Sequence, residues 1–406
     1  MTDAPLPDGI QLSPFDPAFR EDPYPILHDL RRRAPVHRDE PLKRWVVTRH
    51  DDVEHVLRNK AFFVDPSKAR PDAFHRLFEN TETGGEQSIL FLDDPQHRRL
   101  RGLVNRTFRP RAIDRMRPEI RKLARDLVAR IETPEFDVVE ALANPLPALA
   151  IAVVLGVDGG DQEQFKRWSE ASTAAFFNPF ASEEERAPGV AASQALREFF
   201  LREVDQRRRK PSEDLIGRMC AVEDEHGDRM TDAEINTMCN LLLIAGNVTT
   251  TDLIGNGTRA LMDHPEQAQT LRAAPELMPH AVEEMLRYDA PVMNSARITH
   301  DEVEIGGVAI GKGESVMTVL GAANRDPDIY PEPDRLDFDR EDVHHQSFGG
   351  GQHLCLGSHL ARLEAQEGFA ALLERFPKLG PSSRPHEYRQ VPSFRGLKHY
   401  WLQGSE

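Results

Sequence analysis

Cys355 is the residue whose surroundings most clearly point to chemistry. It closes the run Phe348-Gly349-Gly350-Gly351-Gln352-His353-Leu354-Cys355-Leu356-Gly357, and an amphipathic helical pattern follows from about Ser358 to Arg375. Three consecutive glycines serve neither helix nor strand; they permit positive φ and let the backbone approach something flat or bulky. A cysteine just ahead of a helix start meets unsatisfied N–H groups and the positive end of the helix dipole, both of which favour thiolate over thiol. The chemistry implied is that of an anionic sulfur ligand. Cys220 and Cys239 have no such setting and read as small buried hydrophobes. Zinc has little support, because no second cysteine lies near Cys355, although His344, His345, His353 and His359 are nearby nitrogen donors.

Three further constellations carry potential. His97 and Arg101 are four apart on one predicted helix, a spacing that lets both converge on one anionic group. Glu284 and Arg287 are spaced i,i+3, which taken alone describes a surface ion pair worth a few tenths of a kcal/mol. The run Ala245-Gly246-Asn247-Val248-Thr249-Thr250-Thr251-Asp252 places a glycine and three threonines inside an apolar helical pattern. These are poor helix formers, together costing about 2 kcal/mol relative to alanine, and threonine hydroxyls can bond back and bend a helix. The run reads either as a buried kink or as an opening where a ligand sits.

The elements that must position these groups are mostly helical. The clearest begins at Thr231, where Thr231-Asp232-Ala233-Glu234 has the form of a capping box, and should run to about Asp263 before His264-Pro265 stops it. Some thirty residues make a rod of roughly 45 Å. Its middle, Asn240 to Gly246, is apolar all round and therefore buried on every side. Other helical patterns lie near 23–33, 51–58, 95–107, 111–131, 138–155, 161–177, 190–208 and 212–224. Alternating patterns near 35–48, 292–319 and 389–402 predict short strands. The fold class is mainly α with a small β portion. No repeat or flexible linker divides the 406 residues, so residues 1–406 read as one domain with an extended or frayed start of about 1–12. The formal charge of -16 disfavours nucleic acid, and no apolar stretch approaches the ~20 residues of a membrane span. The first residues lack the basic start and apolar run of a signal peptide, and the three cysteines fit a reducing compartment; a cytoplasmic location is expected.

The loop at Cys355 resembles the haem-binding loop of the cytochrome P-450 family, specifically its soluble bacterial members, and the likeness extends over nearly the whole chain. The resemblance implies a cytochrome P-450 fold, with haem b (iron protoporphyrin IX) between the long central helix and the cysteine loop. It further implies Cys355 as axial ligand and metal-binding residue, Phe348 packed by the sulfur, and Gly349 within the cofactor-binding loop. His97, Arg101, Arg297 and His353 match the family's propionate partners. Glu284 and Arg287 match its Glu-x-x-Arg helix, and Arg335 the arginine that completes a structural ion-pair triad. Ala-Gly-Asn-Val-Thr-Thr resembles the oxygen-binding stretch and assigns the catalytic alcohol to Thr249. There the chain departs from the pattern: Val248 stands where the family usually has an acid, so proton delivery needs another carrier, Asp252 being one candidate.

The activity implied is insertion of one oxygen atom from O2 into a mid-sized hydrophobic substrate. Electrons would come from NAD(P)H through a separate ferredoxin reductase and ferredoxin. Arg98, Arg99, Arg106, Arg109, Arg111 and Arg362 fall in segments the family uses for docking such a donor. By position within the family pattern, pocket candidates are Ile89, Leu90, Phe176, Phe177, Leu241, Ile244, Ala245, Val248, Met293, Asn294, Ser393 and Phe394. Two other functions share the resemblance: a haem enzyme with isomerase, dehydratase or peroxide-driven chemistry, and a haem-based binding protein without turnover.

Overall fold

The computed structural model describes residues 5–79, 87–108, 110–132, 134–157, 162–176 and 181–405. Two compact units are distinguished by their internal packing. The first comprises Met1–Glu79, Asn256–Cys355 and His386–Lys398; the second comprises Asn80–Gly255, Leu356–Pro385 and His399–Glu406.

The long helix forms as its cap predicts, over Asp232–Asp263. Glu234 N–H donates to Thr231 Oγ1 (3.1 Å), and Thr231 N–H donates to the Glu234 carboxylate (2.8 Å), so two otherwise orphaned donors are satisfied reciprocally. Pro265, lacking an N–H, opens the next helix, Pro265–Ala273. Elsewhere proline and capping residues shift the expected boundaries. The helix expected over 111–131 is split into Pro110–Asp114 and Arg117–Ala129, the second with Pro118 in its first turn. That expected over 138–155 becomes a π turn, Val139–Ala143, and a helix restarting at Pro145–Leu155. The one expected from 190 begins at Glu183, because Ser182 and Glu185 form a second capping box upstream of Pro188. Within the stretch expected to be extended or frayed, part is ordered. Gly9–Leu12 forms a 3-10 turn, with Gly9 N–H donating to Asp39 (2.9 Å) and Leu12 buried beside Leu27, Leu30 and Met317.

The first unit holds the main sheet, whose strand order is Val36–Asp39, Arg44–Val47, Ser315–Thr318, Ser295–Thr299, Phe62–Phe63. One pairing is parallel, Arg44–Val47 against Ser315–Thr318, and the others are antiparallel. The helix His50–Arg58 covers one face through Val53, Val56 and Leu57, which pack with Val47, Val316 and Leu320. In the second unit, the Pro145–Leu155 helix is buried nearly all round, and Arg117 and Arg121 clamp Glu367 of the helix Ser358–Arg375 at 2.8 Å each. A three-stranded sheet, Glu135–Asp137, Trp401–Ser405 and Lys378–Pro381, completes that unit. Among the described residues, no helix is long and apolar enough to cross a membrane.

Candidate functional site

In the first unit the Phe348–Cys355 loop is a closed turn, with Cys355 N–H donating to the Phe348 carbonyl (2.9 Å) and Gly349 N–H to the Gln346 carbonyl (2.8 Å). Gly349 and Gly351 adopt φ of 67° and 64°, the left-handed region that glycine enters without penalty. At Gly351 a second constraint operates: an added Cβ would lie 2.5 Å from the Leu57 carbonyl oxygen. Close approach there is to the end of the His50–Arg58 helix, a reason for the glycine run that sequence alone did not reveal. The turn leaves the Cys355 thiol exposed, whereas Cys220 and Cys239 are buried; burial pushes both their thiols above the ordinary range.

Arg297 is 6% exposed on its strand, and its guanidinium donates to Ser295 Oγ (2.9 Å) and to the Ala296 carbonyl (2.8 Å). Its charge reaches His75, a buried residue absent from the sequence reading. Burial, with Arg297 adding to it, holds that imidazole down at about 3, so it is neutral. His75 Nδ1 lies 2.8 Å from Ser315 Oγ. His353, two residues before Cys355, is partly buried.

The Glu-x-x-Arg pair is fully buried and bidentate, Arg287 donating to both Glu284 oxygens at 2.7 Å and to the carbonyls of Asn324, Pro333 and Arg335. One assignment needs correction. Arg335 contributes only its carbonyl; its side chain is 56% exposed and turns to Glu332 and Asp337. The third charged partner is Arg340, whose Nε lies 3.4 Å from Glu284 with the side chain 10% exposed. Both arginines sit in Pro-Asp-Arg-Leu-Asp-Phe-Asp-Arg, and spacing could not choose between them.

In the second unit His97 and Arg101 share the helix Gln96–Thr107. His97 is buried, and its pKa is lowered first by that burial and then by the nearby Arg101 charge, which agrees with the two converging from one helix face. On the long helix Thr249 is partly buried and donates its hydroxyl to the Ala245 carbonyl (2.8 Å). A Cβ added at Gly246 would meet no heavy atom within 4 Å, so space opens beside this turn. Val248 and Asp252 are both buried. The acid that sequence reasoning missed is Glu364 on the helix Ser358–Arg375. It is 2% exposed and hydrogen-bonded to Thr250, and burial raises its carboxyl well above the ordinary range while Thr250 opposes the rise. Its only signal in the sequence was an acidic residue at an apolar position of that helix.

Of the pocket candidates, Ile89, Ile244, Val248, Met293 and Phe394 are buried, Leu241, Ala245, Asn294 and Ser393 partly so, and Leu90 is exposed. Phe177 and the side chain of Phe176 lie outside the described residues, as does Arg109 of the cationic cluster. Met293 N–H donates to the Ser393 carbonyl (2.8 Å), and Ser393 holds φ at 67°, so the turn bearing Phe394 is pinned. In the cationic cluster Arg98 pairs with Asp94 at 2.5 Å, Arg99 pairs with Glu234, and Arg106 donates to the Glu223 carbonyl.

In the first unit an exposed cysteine on a tethered loop and an arginine of low exposure, Arg297, suit a haem with its carboxylates better than a bare metal ion; in the second unit the buried His97 lies near Arg101, and space opens at Gly246. Among the described residues, the group able to offer three metal ligands is Asp137, Glu140 and His399, not the histidines near Cys355. Asp137 already accepts from Val139 N–H and Tyr400 N–H and lies 2.6 Å from His399 Nδ1.

Comparison with known proteins shows the family. The family model for Cytochrome P450 matches residues 37–388. The chain is 36% identical over 412 residues to the cytochrome P450 monooxygenase PikC of Streptomyces venezuelae, covering 98% of this chain and 96% of that protein. It is 37% identical over 395 residues to the vitamin D(3) 25-hydroxylase of Pseudonocardia autotrophica, covering 94% of each. The solved structure of CYP109E1 from Bacillus megaterium in complex with testosterone superposes with a TM-score of 0.85 at 32% identity, covering 95% of this chain and 100% of that one.

Proposed function

The chain belongs to the cytochrome P450 family, and from that premise we propose that residues 1–406 act as one haem-thiolate monooxygenase domain on a mid-sized hydrophobic substrate. The observation that carries the site assignment is the Cys355 turn, a thiol presented on a loop tied back through the Phe348 carbonyl. When bound, haem b supplies activation of O2 and delivery of one oxygen atom to the substrate, with two electrons and two protons taken from outside.

The chain's own residues then have separable tasks. Cys355 is the sulfur ligand, Phe348 screens that sulfur, and Gly349 supplies the left-handed turn between them. Arg297, His97, Arg101 and His353 offer donors to the two propionates, and low exposure strengthens those charge-assisted bonds. Thr249 is the alcohol at the reacting face. Its hydroxyl is parked on the Ala245 carbonyl and can turn to donate elsewhere. With Val248 unable to carry a proton, Glu364 holds one at a carboxyl bonded to Thr250, the residue next to Thr249.

The apolar character of Ile89, Ile244, Val248, Met293 and Phe394 supports a hydrophobic substrate, as do relatives that hydroxylate vitamin D(3) or bind testosterone. Electrons come from NAD(P)H by way of a separate ferredoxin reductase and ferredoxin, in the cytoplasm.

The test is spectral and chemical. Reduced protein under CO should show the long-wavelength Soret band of thiolate ligation, and Cys355→His should lose it. NADH consumption with product analysis across hydrophobic compounds, using a surrogate ferredoxin system, should give products one oxygen heavier. Retention of the band in Cys355→His refutes the ligand assignment; compound binding without reductant consumption refutes turnover.

A further inference from the structure

Three side chains of the second unit, outside the haem site proposed above, meet at one end of its three-stranded sheet: Asp137, Glu140 and His399. Asp137 closes the strand Glu135–Asp137, and its side chain is 2% exposed. Oδ1 accepts from Val139 N–H (3.0 Å) and from Tyr400 N–H (3.0 Å), so the carboxylate is pinned between the π turn Val139–Ala143 and the approach to the strand Trp401–Ser405. Val138 N–H adds a bond to the Tyr400 carbonyl (3.0 Å). Oδ2 faces His399 Nδ1 at 2.6 Å, and the His399 side chain is 31% exposed. Glu140, in the π turn, is exposed, and one ligand atom from each of the three residues lies within 4.8 Å of the other two.

Asp137 and His399 alone would make an ordinary ion pair. Glu140 alters the balance, because two carboxylates this close repel each other and one imidazole brings at most a single positive charge. A dication neutralises both carboxylates and leaves the imidazole free to bind it as a neutral ligand. The donor types select the metal: one nitrogen with two oxygens suits zinc and its borderline neighbours, whereas calcium and magnesium favour shells of oxygen alone. Around a tetrahedral zinc ion, bonds of about 2.0–2.1 Å set the ligand atoms about 3.3 Å apart. Asp137 cannot move without losing its backbone donors, so His399 draws back and Glu140 swings in. Both face solvent, which permits that movement and gives the ion its way in.

We propose that Asp137, Glu140 and His399 form a divalent metal site of the zinc class, in which Asp137 is the fixed ligand and the other two close on it. The bound ion clips the C-terminal strand to the turn that precedes the helix Pro145–Leu155. It stabilises the folded chain, because Asp137 and His399 are 262 residues apart in sequence and come together only on folding. The site is independent of the haem-thiolate reading.

The experiment titrates the holoprotein with Zn2+ in chelator-free buffer, reading binding by calorimetry, the melting temperature, and anomalous scattering at the zinc edge in crystals. Wild type should bind one ion per chain, with an anomalous peak between the three side chains. At free Zn2+ about a hundred times Kd, the melting temperature should rise by about 3 °C, from an unfolding entropy of about 2.1 cal/mol/K per residue over 406 residues. Glu140→Gln, altered at an exposed position, should weaken binding about tenfold and so halve that rise. His399→Leu should abolish both, and His344→Leu, altered at a surface histidine paired with Asp342, should behave as wild type. Mg2+ should produce no rise. Zn2+ affinity and melting shift that are equal in wild type, Glu140→Gln and His399→Leu would overturn the proposal, as would a wild type that binds no ion or shows its peak elsewhere. An equal response to Mg2+ would overturn the class of metal. If His399→Leu does not fold, Glu140→Gln and the position of the anomalous peak decide the matter.

Discussion

Replacing Glu364 with glutamine should make the protein more stable, by an amount that grows with pH. Glu364 is 2% exposed, and burial is the largest influence on its carboxyl, raising it well above the ordinary value; the Thr250 hydrogen bond opposes in smaller measure. In the unfolded chain the same group ionises near pH 4.3. Above that value the unfolded state has released its proton while the folded state still holds it, so folding binds a proton and stability falls as pH rises. The loss continues until the folded carboxyl itself ionises, and below about pH 4.3 the group contributes nothing. Within the window the slope is about 1.4 kcal/mol per pH unit. Glutamine keeps the shape and an acceptor for Thr250 but does not titrate, so the variant escapes this loss. With an unfolding entropy of about 2.1 cal/mol/K per residue over 406 residues, the gap in melting temperature should widen by about 1.6 °C per pH unit. Thermal melts of both proteins at pH 5, 6 and 7 isolate the effect, since every other group titrates alike in the two. The same variant should waste reductant as peroxide, read as product per NADH. A melting-temperature difference independent of pH would refute the protonated state, and unchanged product yield would refute the proton-carrying role.

The corrected ion-pair assignment separates two arginines: Arg340→Ala, which strips a buried partner from Glu284, should cost about 2–3 kcal/mol, whereas Arg335→Ala should stay within about 0.5 kcal/mol in urea unfolding. Val248→Asp should raise product per NADH and lower stability, because it adds a proton carrier next to Thr249 at a buried position; an unchanged yield would show that the missing acid does not limit turnover. Reduction by an acidic ferredoxin should slow about tenfold between 0.01 and 0.15 M salt if Arg98 and Arg111 help steer it, and stopped-flow rates independent of salt would exclude that route.

Local signals in the sequence translated well where one residue type answers one local need. The Thr231/Glu234 cap, the stop at Pro265 and the left-handed glycines of the cysteine turn are all of this kind. Boundaries failed where two signals competed: the Ser182 cap starts a helix that contains Pro188 and whose periodicity is clear only from 190, and Pro145 restarts a helix that periodicity read as continuous. The site showed the same division. The turn at Cys355 was legible because its glycines and following helix are contiguous in the chain. Arg340, Glu364 and His75 were not, because their roles come from burial against residues far away in sequence, and spacing carries no record of that. His345 was noticed only as a possible zinc donor; its bonds to Glu283 and Ser347 depend on tertiary placement.

The parallel pairing of Arg44–Val47 with Ser315–Thr318 also governs how the chain is born. The strand Val36–Asp39 and its antiparallel neighbour Arg44–Val47 leave the ribosome early, but the partner that covers the other edge of Arg44–Val47 is encoded some 270 residues later. At about 5–20 residues per second, that edge waits roughly 15 to 55 s before its partner exists. During this interval it presents open N–H and C=O groups beside Trp45, Val46 and Val47, the kind of surface on which nascent chains associate wrongly. Slower translation lengthens the exposure, so soluble yield in cells should depend on elongation speed and on chaperones that shield a young hairpin.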